Sequence, residues 1–227
     1  MTAVAPVTTV EVATSQGQAR AELTRPGGPG APSFLLALTH GAGGSVTAPD
    51  LLAARDAALR LGGAVALITQ PYRVRGARAP GSAARQDQAW QEIIASLRDG
   101  AWLAPGRGVP LIVGGRSNGA RVACRTAVAV AAAGVIALAF PLRPPRRAGS
   151  AGTGAAAIRE EELRSAASHA VRVLVVNGDK DPFGIPDPGD AIRVVVLKGE
   201  SHALSRNPAA VADAVTDWLG GVVPTVH

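Results

Sequence analysis

Apolar residues fall along this chain in two alternating rhythms. Short, nearly unbroken apolar runs of strand length recur at Phe34–Thr39, Ala64–Thr69, Pro110–Gly115, Val135–Phe140, Val171–Val176 and Ala191–Leu197. Between them lie stretches whose apolar positions recur every three or four residues. These are Pro49–Leu61, Ala83–Leu97, Asn118–Ala133, Ile158–Ala167 and Asn207–Leu219. Trp90, Ile93, Ile94 and Leu97 share one face of the second; Val211, Val215, Trp218 and Leu219 share one face of the last. The runs predict strands buried on both sides, and the periodic stretches predict helices that bury one face. Val7–Ala13 and Gln18–Leu23 instead alternate residue by residue about Ser15-Gln16-Gly17, which predicts a hairpin. Strands alternating with helices imply βαβ units. The fold class expected is therefore α/β, a mostly parallel central sheet with an N-terminal antiparallel hairpin and helices on both faces. Arg25–Ser33 reads as a turn-rich connection and residues 144–156 as a mobile loop, but no stretch divides the chain, so residues 1–227 are expected to form one domain.

Composition changes this picture little. Hydrophobic residues make up 47% and charged residues 18% of 227, a globular balance, while aromatics are only 3%. The core must rest on Ala, Val, Leu and Ile. The net charge of +6 invites a nucleic-acid reading, yet Lys180 and Lys198 are the only lysines among 23 basic residues, and the arginines are spread along the chain without interleaved aromatics. That is a compositional habit rather than an electrostatic footprint, and no nucleic-acid partner is expected. The longest apolar run, Ala127–Leu142, is too short for a membrane span and is broken by Gly134 and Pro141. The N-terminus lacks the charged and apolar regions of a signal peptide, and Cys124 has no partner for a disulfide. A cytoplasmic protein without membrane association is expected, either a monomer or a homodimer.

The chemistry gathers at strand ends. Gly115-Arg116-Ser117-Asn118-Gly119 follows one predicted strand and opens a helix, the setting that turns G-x-S-x-G into a nucleophile elbow. The sharp turn exposes the serine hydroxyl at a helix N-terminus, and the glycines on either side leave room for the neighbouring backbone. A serine nucleophile needs a histidine base, and the base needs an acid, in the chain order Ser, Asp or Glu, His. Of four histidines, His40 precedes the serine, His169 lies ahead of a strand at the wrong end of the sheet, and His227 is the last residue. His202, just past the last strand, remains as the base. Asp179 and Asp181 both follow the preceding strand, and position alone does not separate them. The developing oxyanion needs two N–H donors. The backbone of Asn118 supplies one. Ala42, flanked by Gly41 and Gly43 in Thr39-His40-Gly41-Ala42-Gly43-Gly44, supplies the other. That loop is no phosphate cradle: no Lys-Ser/Thr follows it, and Val46 stands where G-x-G-x-x-G needs glycine. No His/Cys/carboxylate cluster has metal-ligand spacing, so no metal and no organic cofactor is expected.

Several motifs in order carry a resemblance. T-H-G-A-G-G, Q-P-Y at 70–72, G-G-R-S-x-G-x-R-V-A at 114–123, F-P-L-x-P-P at 140–145, G-x-x-D-P-F-G at 178–184 and a late G-x-x-H span most of residues 30–220. Together they resemble the dienelactone-hydrolase-like branch of the α/β-hydrolases. The resemblance is greatest to a compact subfamily that also occurs as a domain in a subunit of the non-specific-lethal histone acetyltransferase complex. The resemblance implies an α/β-hydrolase fold without a large cap. It implies a catalytic set of Ser117, His202 and Asp181, the acid falling on the Asp of D-P-F-G. It assigns Gly41, Gly43, Tyr72 and Arg143 to the substrate pocket. Two departures stand out: Asn118 replaces a methionine, and Arg143 replaces a histidine, either of which would alter the pocket.

The activity expected is that of a serine hydrolase cleaving small carboxylic esters. The alternatives are the same residues tuned to thioesters or peptides, and a binding module on a retired hydrolase fold. Retention of all three residues argues against the last. Arg73, Arg75 and Arg78, with Arg143, Arg146 and Arg147, follow strand ends and would give a basic mouth favouring anionic acyl substrates; solvated arginines in an Arg-rich chain are the simpler account. Arg116 and Arg121 flank the serine and are expected to pair with carboxylates beneath it. Cys124, Trp90 and Trp218 are expected in the core.

Overall fold

The structure, a computed structural model, describes residues 6–27, 30–103, 108–144 and 153–223. The singly alternating segments form the hairpin of β1 (Thr8–Thr14) and β2 (Gly17–Thr24). The apolar runs form β3 (Leu35–Thr39), β4 (Ala64–Thr69), β5 (Leu111–Arg116), β6 (Gly134–Leu138), β7 (Arg172–Gly178) and β8 (Ile192–Leu197). All eight join one sheet in the order β1-β2-β4-β3-β5-β6-β7-β8. The β1/β2 and β2/β4 pairs are antiparallel and the rest are parallel. The helices are α1 (Pro49–Arg60), α2 (Pro71–Val74), α3 (Ala83–Asp99), α4 (Asn118–Thr126), α5 (Thr153–Ser168) and α6 (Pro208–Val222). Among the described residues, no helix is long and apolar enough to cross a membrane.

Strand pleating sorts the core into two layers. From β4, Ala64, Ala66 and Ile68 face Trp90, Ile93 and Ile94 of α3, a layer that also takes in Val122 of α4 and Leu163 of α5. From the same strand, Val65 and Leu67 face the other way, into the layer of Leu51 and Ala54 from α1 and Val211, Val215 and Trp218 from α6. Burial on both faces explains why the central strands read as unbroken apolar runs. The small alanines on strands and helices let the layers close with few aromatics. Trp90, Trp218 and Cys124 all lie in this interior, as expected.

Several boundaries differ from the sequence expectation. Helix α4 stops at Thr126 rather than Ala133. Successive turns then carry Ala131 through φ +52° and deliver the Ala133 N–H to the Leu111 carbonyl at the start of β5. The register of β6 on β5 sets this reversal, and no Gly or Pro before Gly134 marks it. Strand β6 ends at Leu138 because Ala139, at φ +47°, turns the chain out of the sheet. The single-turn α2 and a 3-10 turn at Ala101–Leu103 are additions. Residues 153–156, expected in a loop, begin α5; residues 145–152 of that expected loop lie outside the described residues.

Leu174 is fully buried in the middle of β7, whereas Val196 on β8 is 47% exposed. Leu174→Ala is expected to cost about 2–5 kcal/mol, and Val196→Ala less than about 0.5 kcal/mol. Urea-denaturation curves measure both.

Candidate active site

Strand β5 lies at the middle of the sheet, between β3 and β6, so its carboxyl end meets the loops that follow its neighbours. Ser117 sits there, between β5 and α4, at φ 53° and ψ −111°. Few side chains adopt such a backbone, and its cost is met by the surroundings. Ser117 N–H donates to the Leu138 carbonyl at 2.9 Å. A Cβ on Gly115 would lie 2.6 Å from the Thr39 carbonyl oxygen, and one on Gly119 would lie 2.7 Å from the carbonyl oxygens of Thr39 and His40. Both positions therefore exclude any side chain, and the elbow packs directly against the end of β3.

His202 arrives from the loop between β8 and α6. Its Nε2 lies 3.0 Å from Ser117 Oγ, and its Nδ1 lies 2.8 Å from Asp181 Oδ2. The carboxylate accepts, so Nδ1 carries the proton and Nε2 is left to accept the serine hydroxyl. Asp181 is fully enclosed at its side chain, and its second oxygen accepts the Phe183 N–H at 2.9 Å. The Phe183 ring packs edge-on against the imidazole, with centroids 4.5 Å apart. Asp179, the other candidate acid, is exposed, and its Oδ1 accepts the Gly199 N–H at 2.7 Å in the β7–β8 region, away from the imidazole. Asn177 staples the acid loop: its amide oxygen accepts from Phe140 N–H and its NH2 donates to the carbonyls of Phe140 and Gly184.

The loop after β3 faces the serine from the other side. A Cβ on Gly41 would come within 3.3 Å of Ser117 Cβ. Asn118 opens α4, so its N–H has no intrahelical acceptor, and the Ala42 N–H makes no hydrogen bond among the described residues. Both N–H groups are thus without a partner among the described residues. Gly43 is exposed, with open space where a side chain would point. His40 holds the loop to the sheet: its Nδ1 donates to the Gly41 carbonyl at 2.8 Å, and its Nε2 accepts the Gln70 N–H at 3.1 Å. Both nitrogens are committed in the neutral ring, and burial lowers its pKa. Tyr72, assigned to substrate by resemblance, is largely buried. Its hydroxyl donates to the Ala42 carbonyl at 3.1 Å, and burial pushes its pKa up to about 12. It braces the loop from behind.

The identities of the partners of the polar groups around these loops escaped the sequence reading. Asn118 directs its side-chain NH2 to Gln86 Oε1 at 2.6 Å, tying the elbow to α3. Gln86 and Tyr72 help to line a cleft of 120 Å³ beside the site. Arg121 makes a two-pronged pair with Glu162 of α5 at 2.6 and 2.8 Å, and Arg125 joins Glu162 to Asp87 of α3. Arg116 lies 3.0 Å from Asp50 of α1 and donates to the His202 carbonyl at 2.9 Å. The expected carboxylate partners of Arg116 and Arg121 are thus Asp50 and Glu162. Of the arginines expected at a basic mouth, Arg78 is exposed and three others bond or pack against nearby backbone. Arg75 donates to the Gln16 carbonyl and Arg73 to that of Ala77. Arg143 lays its guanidinium along Gly184 of the acid loop. Arg146 and Arg147 lie outside the described residues, as does His227. His169 is at the far end of α5, bonded to the Ser165 carbonyl.

Comparison with known proteins agrees with this fold. A family model described as an alpha/beta hydrolase domain matches residues 32–207. A lidless α/β serine hydrolase from Xanthomonas campestris, XC6422, superposes with a TM-score of 0.74 at 17% identity, covering 99% of this chain and 100% of its own. Est1E from Butyrivibrio proteoclasticus gives a TM-score of 0.72 at 12% identity, over 94% of this chain and 98% of its own. A dienelactone hydrolase from Anabaena variabilis gives 0.70 at 16%, over 96% and 99%. At these identities the likeness is one of fold. No curated protein matches the chain.

Asp50 yields a prediction about pH. Burial raises its pKa from 3.8 to about 6, against the opposing pull of Arg116. A carboxyl whose folded pKa lies above its unfolded one favours folding when protonated. Its stabilising contribution is complete below pH ~4 and disappears as the pH rises through ~6. The stability of Asp50→Asn relative to the parent is therefore expected to increase across this window by on the order of 2–3 kcal/mol, superimposed on a pH-independent offset from the altered packing and hydrogen bonding. Chemical denaturation of both proteins at pH 4, 5, 6 and 7 measures the difference.

Proposed function

This chain belongs to the α/β-hydrolase family, and from that premise we propose that it is a serine hydrolase that cleaves small carboxylic esters through an acyl-enzyme. The observation that carries the proposal is the unbroken hydrogen-bond chain from Ser117 Oγ through His202 to Asp181, at 3.0 and 2.8 Å. In this reading Ser117 Oγ attacks the ester carbonyl carbon while its proton passes to His202 Nε2. Asp181 holds the imidazole in the required tautomer and stabilises the imidazolium that forms. The N–H groups of Ala42 and Asn118 receive the oxyanion of the tetrahedral intermediate, each such donor being worth about 2.7–4 kcal/mol of barrier. Collapse expels the alcohol, which leaves with the proton held by His202. Water then gives a proton to the same nitrogen as it attacks the acyl carbon, and the acid departs as Ser117 recovers its proton.

The short connection after β6 favours small, freely approaching esters. Only residues 139–152 separate β6 from α5, too few to fold a cap over the serine. The motifs around His40, Ser117 and Asp181 favour assignment to the dienelactone-hydrolase-like branch. The intact polar chain favours an enzyme over a scaffold, because a binding module has no need to align a hydroxyl, an imidazole and a buried carboxylate.

Incubation with a fluorophosphonate probe tests the reading. The parent protein is expected to be labelled once per chain and Ser117→Ala not at all. With short-chain p-nitrophenyl esters, Ser117→Ala and His202→Ala are each expected to lower kcat by about 10³-fold or more. An unlabelled parent protein, or hydrolysis surviving Ser117→Ala, would falsify the proposal.

A further inference from the structure

We infer that Arg116 is a positioning residue for the base: paired with buried Asp50, it fixes the backbone of His202 and so sets the imidazole on Ser117. The inference rests on the esterase reading above and deepens it.

The argument begins with how His202 is held. It follows β8, the last strand of the sheet, and so comes from an edge rather than from the centre. The loop is anchored on both sides of it. Upstream, the Glu200 carbonyl accepts the Lys180 N–H at 2.9 Å; downstream, Leu204 is buried in the α1/α6 layer. At residue 202 itself, the N–H makes no hydrogen bond among the described residues, and the carbonyl accepts one, from Arg116 Nη2 at 2.9 Å. Among the described residues, the imidazole is hydrogen-bonded only to the two groups it must serve, Asp181 and Ser117. A turn closed by the Leu204 N–H on the Ser201 carbonyl at 3.1 Å shapes the loop around residue 202, and among the described residues the guanidinium is the side chain that bonds the backbone of His202 itself.

That guanidinium is itself held. Nε faces Asp50 Oδ2 at 3.0 Å, off the hydrogen-bond line, so the contact is an ion pair. The Asp50 side chain is fully enclosed and its Oδ1 accepts the Leu51 N–H at 3.0 Å in the first turn of α1. A carboxylate is buried there at a cost that the arginine offsets most, helped by the Leu51 N–H, and the raised pKa of Asp50 reports the part of that cost left over. The same guanidinium passes beneath the donor loop: Cβ atoms on Gly41 and Gly44 would lie 3.8 and 3.9 Å from Nη1. Arg116 directly precedes Ser117, so one side chain, on the nucleophile's own strand, touches the base's loop, the donor loop and α1. Charge fits the role too. A lone arginine beside His202 would oppose the imidazolium formed during turnover. Paired with Asp50 it presents no net charge to the ring.

The planar fork is the feature that matters, because Nε and Nη2 point to different partners. Lysine has one ammonium and no fork. Arg116→Lys therefore keeps a cation beside Asp50 but loses the grip on the His202 carbonyl. It is expected to unfold near the parent temperature yet react with the fluorophosphonate probe about 10- to 100-fold more slowly. Its kcat for a p-nitrophenyl ester should fall similarly, with KM within about twofold of the parent. Arg116→Gln, which removes the charge, is expected to lose both stability and rate. The two readings separate cleanly. If the parent is not labelled, the esterase proposal fails. If the parent is labelled and folded Arg116→Lys matches its labelling rate and kcat, the positioning role is overturned and Arg116 is a structural ion-pair partner alone. Should Arg116→Lys not fold, Asp50→Asn decides: a folded Asp50→Asn leaves the arginine less firmly held and more positive toward the imidazolium, so a labelling rate and kcat equal to the parent's overturn the inference, and a slowed rate at unchanged KM supports it.

Discussion

The site depends on the direct packing of two backbone segments. The turn from β5 into α4 lies against the end of β3 so closely that Cβ atoms at Gly115 and Gly119 would penetrate the carbonyls of Thr39 and His40. This closeness forces Ser117 into its strained conformation and lifts its hydroxyl clear of the sheet. It also brings the loop of Gly41 and Ala42 beside that hydroxyl. The strain at one residue is stored by the surrounding sheet, since β5 is central and paired on both sides. A turn on an edge strand would have less to hold it.

Around that contact, buried polar groups do the aligning. His40, Tyr72 and Asn177 are each committed to backbone groups of the loops they brace, and each loop carries one part of the proposed chemistry. Such groups are costly to bury unless satisfied, and once satisfied they admit few alternative geometries. The apolar layers set the helices on the sheet to within a side chain. The polar braces set the loops to within a hydrogen bond. Arginines extend the same device outward. Arg121 and Arg125 bind α4 to α3 and α5 through Asp87 and Glu162, so the helix that begins at the serine is held from two sides. Part of the arginine of this chain is thus spent inside the molecule.

Much of the fold was legible in the sequence because periodicity is a local property. A strand buried on both faces and a helix buried on one cannot share a pattern, and the strands and most helices emerged within a few residues. The elbow was legible for a related reason: only glycine fits where backbone meets backbone, so the steric constraint is written in residue type. The end of α4 was not legible, because a run of alanine and valine suits both a helix and the turns that replace it after Thr126; the register of β6 on β5 made the choice.

The sequence by itself determined the layered α/β architecture, the serine in its turn and the histidine that follows the last strand. It left two aspartates, Asp179 and Asp181, equivalent by position. Tertiary structure separated them, because only one reaches the imidazole while the other caps Gly199. Tertiary structure also showed Tyr72, expected in the substrate pocket, bracing the loop of Ala42, and revealed Arg116 on the backbone of His202, 86 positions away in the chain. The physical reason is the same in each case. A hydrogen bond between distant residues depends on where two loops converge, and convergence is a property of the packed sheet rather than of any local stretch of chain.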